Sequence, residues 1–393
     1  MKIVFLGSFV SPGELQKLPS ASVAGNKMQY NLLKYLSKKD VNLTIYSFKV
    51  HAKFPKERKI LCFPSKEVML DEFEVNFLPY INLPLLKEIS LILAYWFALF
   101  KTVKKDSIIF SYNLFVYQSF ALNCFRKKVN GKCACLLADL SAGEDKKGLV
   151  GRFFRWAFDS YHNYSLKKCE YYIALNEYAV KTRTKSKRYI IMDGGIEPSE
   201  YIDGEGWNGQ EKNVLYTGAL VDYSGIMTLV KAMQYVTDER IFLDIYGNGP
   251  LAEKLQNISK TNKKIRFHGT VSNSKILEIQ RKSWLLANPR PVENDTAKVT
   301  FPSKIFEYMM SGRPVMSTRL NGFSNEYDDL IYWIDDCSVM GFSSLINELA
   351  TMDDSVMAQK AASARSFMMK YKTWKNNADK VYDFLKDFER TLS

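Results

Sequence analysis

The chain has 393 residues, 47% of them hydrophobic and 25% charged. That is too long for one ordinary core and fits two folded, soluble domains of about 150–200 residues each. The net charge of +13 is unevenly spread: residues 1–198 hold 31 Lys and Arg against 17 Asp and Glu, and the remainder holds 24 against 25. The apolar stretch that follows Met1 is too short for a signal peptide. The run Ile89 to Phe100 falls well short of the ~20 residues that a membrane helix needs. Cys62, Cys124, Cys133, Cys135, Cys169 and Cys337 form no zinc-type pair and are expected as buried, reduced thiols of a reducing compartment. Three histidines, His51, His162 and His268, without an HExxH, argue against a zinc hydrolase.

In chain order, strands are predicted at Lys2–Gly7, Val41–Phe48, Ser107–Ser111, Lys132–Leu137, Tyr171–Leu175 and Tyr189–Met192. Helices are predicted at Asn26–Ser37, Pro84–Val103, Phe115–Lys127 and Gly148–Lys168. This alternation builds a parallel sheet with helices on both faces. The segment 85–103 reads either as a buried core helix with a solvated basic end or as a helix lying at a membrane interface, with Tyr95, Trp96 and Phe97 between Lys87 and Lys101. After a Gly-, Pro- and Glu-rich joint at Gly194–Trp207 the pattern restarts with strand Asn213–Gly218 and helix Ile226–Tyr235. Strand Ile241–Tyr246, helix Leu251–Ser259, strand Ile265–His268, helix Ser274–Arg281 and strand Trp284–Asn288 follow. Helix Ser303–Ser311 and strands Pro314–Thr318 and Leu330–Ile334 complete the second unit. The expected class is α/β, with two Rossmann-like doubly wound domains facing a central cleft and a ligand outside the carboxyl ends of the strands. Domains are expected at 1–198 and 199–372, with 373–393 a helix.

The densest chemistry lies in Asn288-Pro289-Arg290-Pro291 and Thr300-Phe301-Pro302-Ser303-Lys304-Ile305-Phe306-Glu307-Tyr308-Met309-Met310-Ser311-Gly312. Pro302 suits the first helical position and Gly312 the residue past the helix. The amides of Ser303 and Lys304, the Lys304 charge and the planar fork of Arg290 suit a diphosphate. Glu307, one turn on, suits a ribose hydroxyl. Read as structure alone, the same helix is amphipathic with a Lys–Glu surface pair. Elsewhere, Gly247-Asn248-Gly249 is too little of a GxGxxG for a dinucleotide fingerprint. His268 reads as structural, and His162 as a surface or packing residue. Asp139, in Leu137-Ala138-Asp139-Leu140, either caps the next turn or faces an acceptor.

These segments resemble family 4 glycosyltransferases, a retaining GT-B family, and within it the polysaccharide-assembly members with an NPRP…FPSK…EYM.SG.PV stretch. The resemblance extends to Tyr216-Thr217-Gly218-Ala219-Leu220 with Gly225-Ile226, to Ile245-Tyr246-Gly247-Asn248-Gly249-Pro250, to Phe267-His268-Gly269, and to Thr373-Trp374 at the start of a last helix that crosses back to the first domain. The first domain resembles the family through Gly7, Gly25-Asn26 and Gly194-Gly195-Ile196. The family's paired carboxylates meet Glu307 at the second position but Val299 at the first. Its Arg and Lys after the first strand of the donor domain fall on Ala219 and Ser224, and its first-domain histidine on Ala138. Lys298, Glu293 and Asp295 stand near enough in sequence to replace what is lost.

The resemblance implies sugar transfer from a nucleotide sugar, UDP by family habit, with retention and without metal or cofactor. Arg290, Lys304 and Glu307 are the expected catalytic groups with Asp139, while Gly7, Gly25, Gly218 and Ser303 join them in binding. The acceptor implied is a lipid-linked or other saccharide for capsule, exopolysaccharide or O-antigen. No helix-turn-helix, RNA-binding or zinc-finger signature accompanies the basic half, so the expected partner is an anionic membrane surface rather than nucleic acid. The protein is expected in the cytoplasm, peripheral on the inner face of the membrane. Two other readings stay open: a GT-B binding or regulatory subunit that has lost turnover, and a GT-B nucleotide-sugar epimerase.

Overall fold

The computed structural model describes residues 1–18, 20–69, 72–138, 149–184, 186–201, 203–209, 211–292 and 301–390, with backbone only for 149–155 and 388–390. The chain divides into two compact units, Met1–Asp193 with Trp374–Ser393, and Gly194–Thr373.

The first unit opens with β1 (Lys2–Leu6), α1 (Pro12–Leu15), α2 (Val23–Leu36) and β2 (Asn42–Ser47). Four short strands follow: β3 (Leu61–Cys62), β4 (Ser65–Met69), β5 (Phe73–Phe77) and β6 (Tyr80–Ile81). Then come α3 (Leu86–Thr102), β7 (Ser107–Tyr112), α4 (Val116–Phe125), β8 (Cys133–Leu137), α5 (Leu149–Leu166), β9 (Tyr171–Ala174), α6 (Glu177–Arg183) and β10 (Arg188–Ile191). The sheet order is β10-β9-β8-β7-β1-β2-β5-β4, parallel except where β4 pairs antiparallel with β5. Central strands buried on both faces need continuous apolar sequence, and every residue of β7 and β8 is buried. The order doubles back between β1 and β7.

The second unit carries β11 (Lys212–Thr217), α7 (Ile226–Ala232), β12 (Ile241–Tyr246), α8 (Ala252–Thr261), β13 (Ile265–Gly269), α9 (Asn273–Lys282) and β14 (Leu285–Asn288). It continues with α10 (Lys304–Met310), β15 (Val315–Thr318), β16 (Tyr332–Ile334), α11 (Val339–Thr351) and α12 (Asp354–Tyr371). Its all-parallel sheet runs β13-β12-β11-β14-β15-β16. This is the doubly wound order of dinucleotide-binding folds, reversing between β11 and β14.

The helix α13 (Trp374–Arg390) follows the second unit in the chain but belongs to the first. Trp374, Ala378, Val381 and Leu385, at the spacing of one helix face, are buried in the core that holds Leu32, Leu33 and Leu36 of α2.

Several sequence expectations need correction. The predicted all-parallel first sheet missed β3–β6, because β4 is an exposed edge strand, SKEVM, with little apolar alternation to betray it. α6, α11 and α12 were also missed, although Asn176, Ser338 and Asp353 cap them with side-chain acceptors. Of the cysteines, Cys62, Cys133, Cys135 and Cys169 are buried, whereas Cys124 and Cys337 are exposed; none of the six is in a disulfide.

Leu385 is wholly buried, so Leu385→Ala is expected to cost about 2–5 kcal/mol through lost transfer and an unfilled cavity. In urea titration, the first unit's transition should move to lower denaturant while the second unit's transition stays in place.

Candidate active site

Both sheets reverse their strand order at one point, and such points leave a crevice beyond the carboxyl ends of the two strands. Each unit has a cavity at its own reversal. In the second unit the cavity is about 200 Å³ and is lined by Tyr216, Ala219 and Ser224 after β11, Asn288 and Arg290 after β14, and Phe301 to Lys304 with Tyr308.

The loops are fixed by polar contacts that leave the cations free to face the cavity. Asn288 Nδ2 donates to Ser317 Oγ at 2.9 Å, and Thr318 Oγ1 donates to the Arg290 carbonyl at 2.5 Å, holding the end of β14 against β15. The buried Tyr308 hydroxyl accepts from Thr217 N at 3.0 Å and pairs with Thr217 Oγ1 at 3.0 Å. That fixes the end of β11, where Lys304 Nζ donates to the Thr217 carbonyl at 2.6 Å and sits 5.3 Å from the Tyr216 ring centre. Gly218 turns the chain past this ammonium at φ 140°; a Cβ there would stand 1.3 Å from Lys304 Nζ. Glycine is required on both counts, backbone conformation and space.

Two cations therefore share a partly dry pocket. Burial pushes the Lys304 ammonium down to about 8, with Glu307 pulling it back up and Arg290 adding to the depression. Burial likewise lowers Arg290, whose Nε is buried with no hydrogen-bond partner among the described residues. A buried donor without an acceptor costs about 1–3 kcal/mol. An anionic ligand removes that cost.

The other expected site residues fall as follows. Ser303 is exposed and lines the cavity. The helix begins at Lys304 rather than at Pro302, because Ile305 N already bonds the Pro302 carbonyl at 2.9 Å in a tighter first turn. Glu307 lies one turn on, outside the cavity lining; burial raises the Tyr201 hydroxyl, and the Glu307 charge adds to that rise. Ala219 and Ser224 both line the cavity. Asp139, Glu293, Asp295, Lys298 and Val299 lie outside the described residues. His268 Nε2 pairs with Asp244 Oδ1 at 2.7 Å and its ring stacks on Tyr246, away from the cavity. His162 Nε2 donates to the Asn113 carbonyl at 3.0 Å and packs in the first unit.

In the first unit a cavity of about 190 Å³ lies at the ends of β1 and β7, lined by Ser8, Ser22, Gly25, Tyr112, Asn113 and Tyr117 among others. Gly25 lines it directly, and a Cβ there would stand 2.5 Å from the Tyr112 hydroxyl. Gly7 borders it: its carbonyl accepts from Tyr95 Oη at 2.5 Å, and a Cβ would press on Phe5 and Gln29. Ala138 donates its amide to Asn113 Oδ1 at 2.7 Å. Sequence reasoning missed Gln29, which accepts from Ser8 N at 2.9 Å and donates to the Gly25 carbonyl at 3.1 Å. Asn26, expected only as part of a helix entry, pairs with both backbone groups of Val10, and the role of Tyr308 was missed. Buried amides inside a helix are a usable signal; a tyrosine in an apolar helix run is not.

Comparison with known proteins meets this geometry. Residues 211–351 match the family model described as Glycosyl transferases group 1. Comparison with curated protein sequences gives no match. Among solved structures, sucrose-phosphate synthase from Thermosynechococcus elongatus is similar at TM-score 0.69 and 14% identity, over 100% of each chain. The E. coli trehalose-6-phosphate protein bound with UDP-2-fluoro glucose is similar at 0.67 and 12%, over 98% of this chain and 99% of that one. A glycosyltransferase from Rickettsia africae is similar at 0.67 and 13%, over 98% of each. At these identities the structural likeness carries the fold, and the family match carries the chemistry. Residues 211–351 form a glycosyltransferase group 1 domain, and the chain is a glycosyltransferase of GT-B fold.

Proposed function

We propose that this enzyme moves a hexosyl group from a UDP-sugar to a lipid-linked or saccharide acceptor during assembly of a surface polysaccharide. On this reading it is a retaining, metal- and cofactor-independent member of family 4. It works in the cytoplasm, peripheral on the inner face of the membrane. The observation that carries the donor site is the pair of half-buried cations, Arg290 and Lys304, at the strand-order reversal of the group 1 domain. The leaving diphosphate gains charge in the transition state, so cations already fixed and half-dry stabilise it more than they stabilise the intact donor. Arg290 supplies a planar fork and Lys304 a point charge with two donors left after its bond to Thr217. Glu307 holds the ribose and Gly218 lets the diphosphate approach the backbone. Uridine is supported by the UDP-2-fluoro glucose bound to the E. coli relative. In the first unit, the hydroxyl- and aromatic-lined cavity at Gly25 receives the acceptor, and Asp139, two residues past β8 in the sequence, is the group to act on it.

Ala219 and Ser224 line the cavity where the family pattern carries Arg and Lys, which favours a second reading, a binding subunit that retains donor affinity without turnover. Slow donor hydrolysis or transfer with purified protein excludes it; tight binding with neither supports it.

Three outcomes are expected. In a thermal-shift panel of UDP, GDP, CDP and ADP, one nucleotide should stabilise the protein, and Lys304→Ala should weaken that nucleotide by about tenfold or more, as loss of a charge-assisted contact does. A flat response to all four would sink the donor-site assignment. Gly218→Ala, which drives a methyl group into Lys304, should abolish nucleotide binding while far-ultraviolet circular dichroism stays unchanged. Because Lys304 titrates near 8 and a diphosphate favours its charged form, affinity should be full at pH 7 and fall as pH rises through about 8 toward 9. Calorimetry near pH 8 in buffers of different ionisation enthalpy should show proton uptake on binding, absent in Lys304→Ala.

A further inference from the structure

α3 is apolar around most of its circumference, yet only one side of it is covered. Lys87, Leu91, Tyr95, Ala98 and Leu99 are buried in the first unit's core. Leu86, Ile89, Leu93, Phe97 and Phe100 are 44%, 52%, 52%, 54% and 59% exposed. At 100° per residue these five fall within about 80° of arc, one continuous stripe opposite the buried face. A neighbouring two-stranded ribbon widens it. β3 pairs antiparallel with β6, the Asn82 amide bonds the Ile60 carbonyl at 2.6 Å, and Ser90 of α3 accepts from Ile81 N at 3.0 Å. Ile60, Leu61 and Phe63, in and beside β3, are also exposed, Phe63 at 76%. Contiguous apolar surface of this kind marks a docking face rather than scattered exposed residues.

Charge identifies the occupant. Arg58 and Lys59 precede β3, and Lys101, Lys104 and Lys105 close the other end of α3; all five are exposed and none forms an ion pair among the described residues. An apolar stripe bordered by unpaired cations is the pattern of a helix lying in the headgroup region of an anionic bilayer. At 17 residues α3 is about 26 Å long, short of the ~30 Å hydrocarbon core, and its inner side is committed to the protein, so it lies on the bilayer and does not cross it. Among the described residues no helix is long and apolar enough to span.

We infer that α3, with the Ile60–Phe63 segment beside it, is the face on which this protein docks onto an anionic lipid bilayer. The assignment rests on the reading of a membrane-held acceptor and gives that reading a place. The buried side of the same helix carries Tyr95, which bonds the Gly7 carbonyl at 2.5 Å and stacks on Tyr117 in the lining of the first unit's cavity. The helix that meets lipid with one side thus builds the acceptor pocket with the other.

The test is flotation of the full chain with phosphatidylcholine vesicles containing phosphatidylglycerol, against phosphatidylcholine alone. The variants are Leu93→Glu/Phe97→Glu and Lys104→Glu/Lys105→Glu, all at exposed positions, and the thermal shift by UDP is measured in the same samples. The wild type should float with the anionic vesicles. The apolar pair should lose partition by about a hundredfold and the lysine pair by more than about tenfold, each with melting temperature and UDP shift unchanged. Equal flotation of wild type and Leu93→Glu/Phe97→Glu overturns the assignment, as does a wild type that binds UDP but never floats. Self-association that the apolar pair abolishes, without flotation, also overturns it and gives the face to a second copy of the chain. Flotation that follows these variants while no nucleotide shifts the protein upholds the docking face and removes the donor-site reading instead.

Discussion

A lysine ammonium held against a backbone carbonyl sets the shape of the donor-side cavity. Lys304 reaches from the start of α10 to the Thr217 carbonyl, and almost everything around it makes that contact possible. Tyr308, one helical turn on, grips the amide and hydroxyl of the same threonine, so the acceptor cannot swing away. Gly218 leaves the space that any side chain would take. Arg290 arrives independently on the loop after β14, held there by Thr318. The outcome is an electropositive pocket whose cations are fixed before a ligand enters, so little reorganisation is needed when negative charge develops.

The two units solve the same problem in different materials. Each places its cavity where the sheet's strand order reverses, between β1 and β7 in one and between β11 and β14 in the other. The second unit lines that crevice with guanidinium and ammonium; the first lines it with hydroxyls, amides and aromatic rings. Charge suits a diphosphate, and hydroxyl-with-ring surfaces suit a sugar. The chemistry of the two pockets differs although the topology that creates them is shared.

Much of this was legible in sequence, for physical reasons that also explain the gaps. Strand Ile241–Tyr246 is mostly buried, so it reads as an apolar run broken only by Asp244 and closed by Gly247, and its position came out to the residue. Arg290 and Lys304 stood out because charge beside Pro and Gly at a strand end has few structural explanations. The edge strand β4 was invisible, since an exposed strand has no need of alternation, whereas β5, whose FEVNF alternates with buried Phe73, Val75 and Phe77, carried a signal that was missed. Tyr308 was invisible for the opposite reason: its ring satisfies the core pattern and hides the hydroxyl that matters. The choice between a buried and an interfacial α3 could not be made from composition, because a helix that is apolar all round fits both. Only the fold shows that one side is left uncovered.

The membership of α13 in the first unit has a consequence for how the chain is made. Synthesis delivers residues in order, and domains generally fold as they emerge. The second unit is continuous, Gly194–Thr373, and its core is complete once Tyr371 and its neighbours are out. The first unit begins earlier yet finishes later, for the helix that covers the apolar face of α2 follows the whole of the second unit. Until it arrives, that face is open on the nascent chain, beside the outer stripe of α3, which stays open. The unit begun first is therefore the one that waits longest, with two apolar surfaces exposed while the second unit is made.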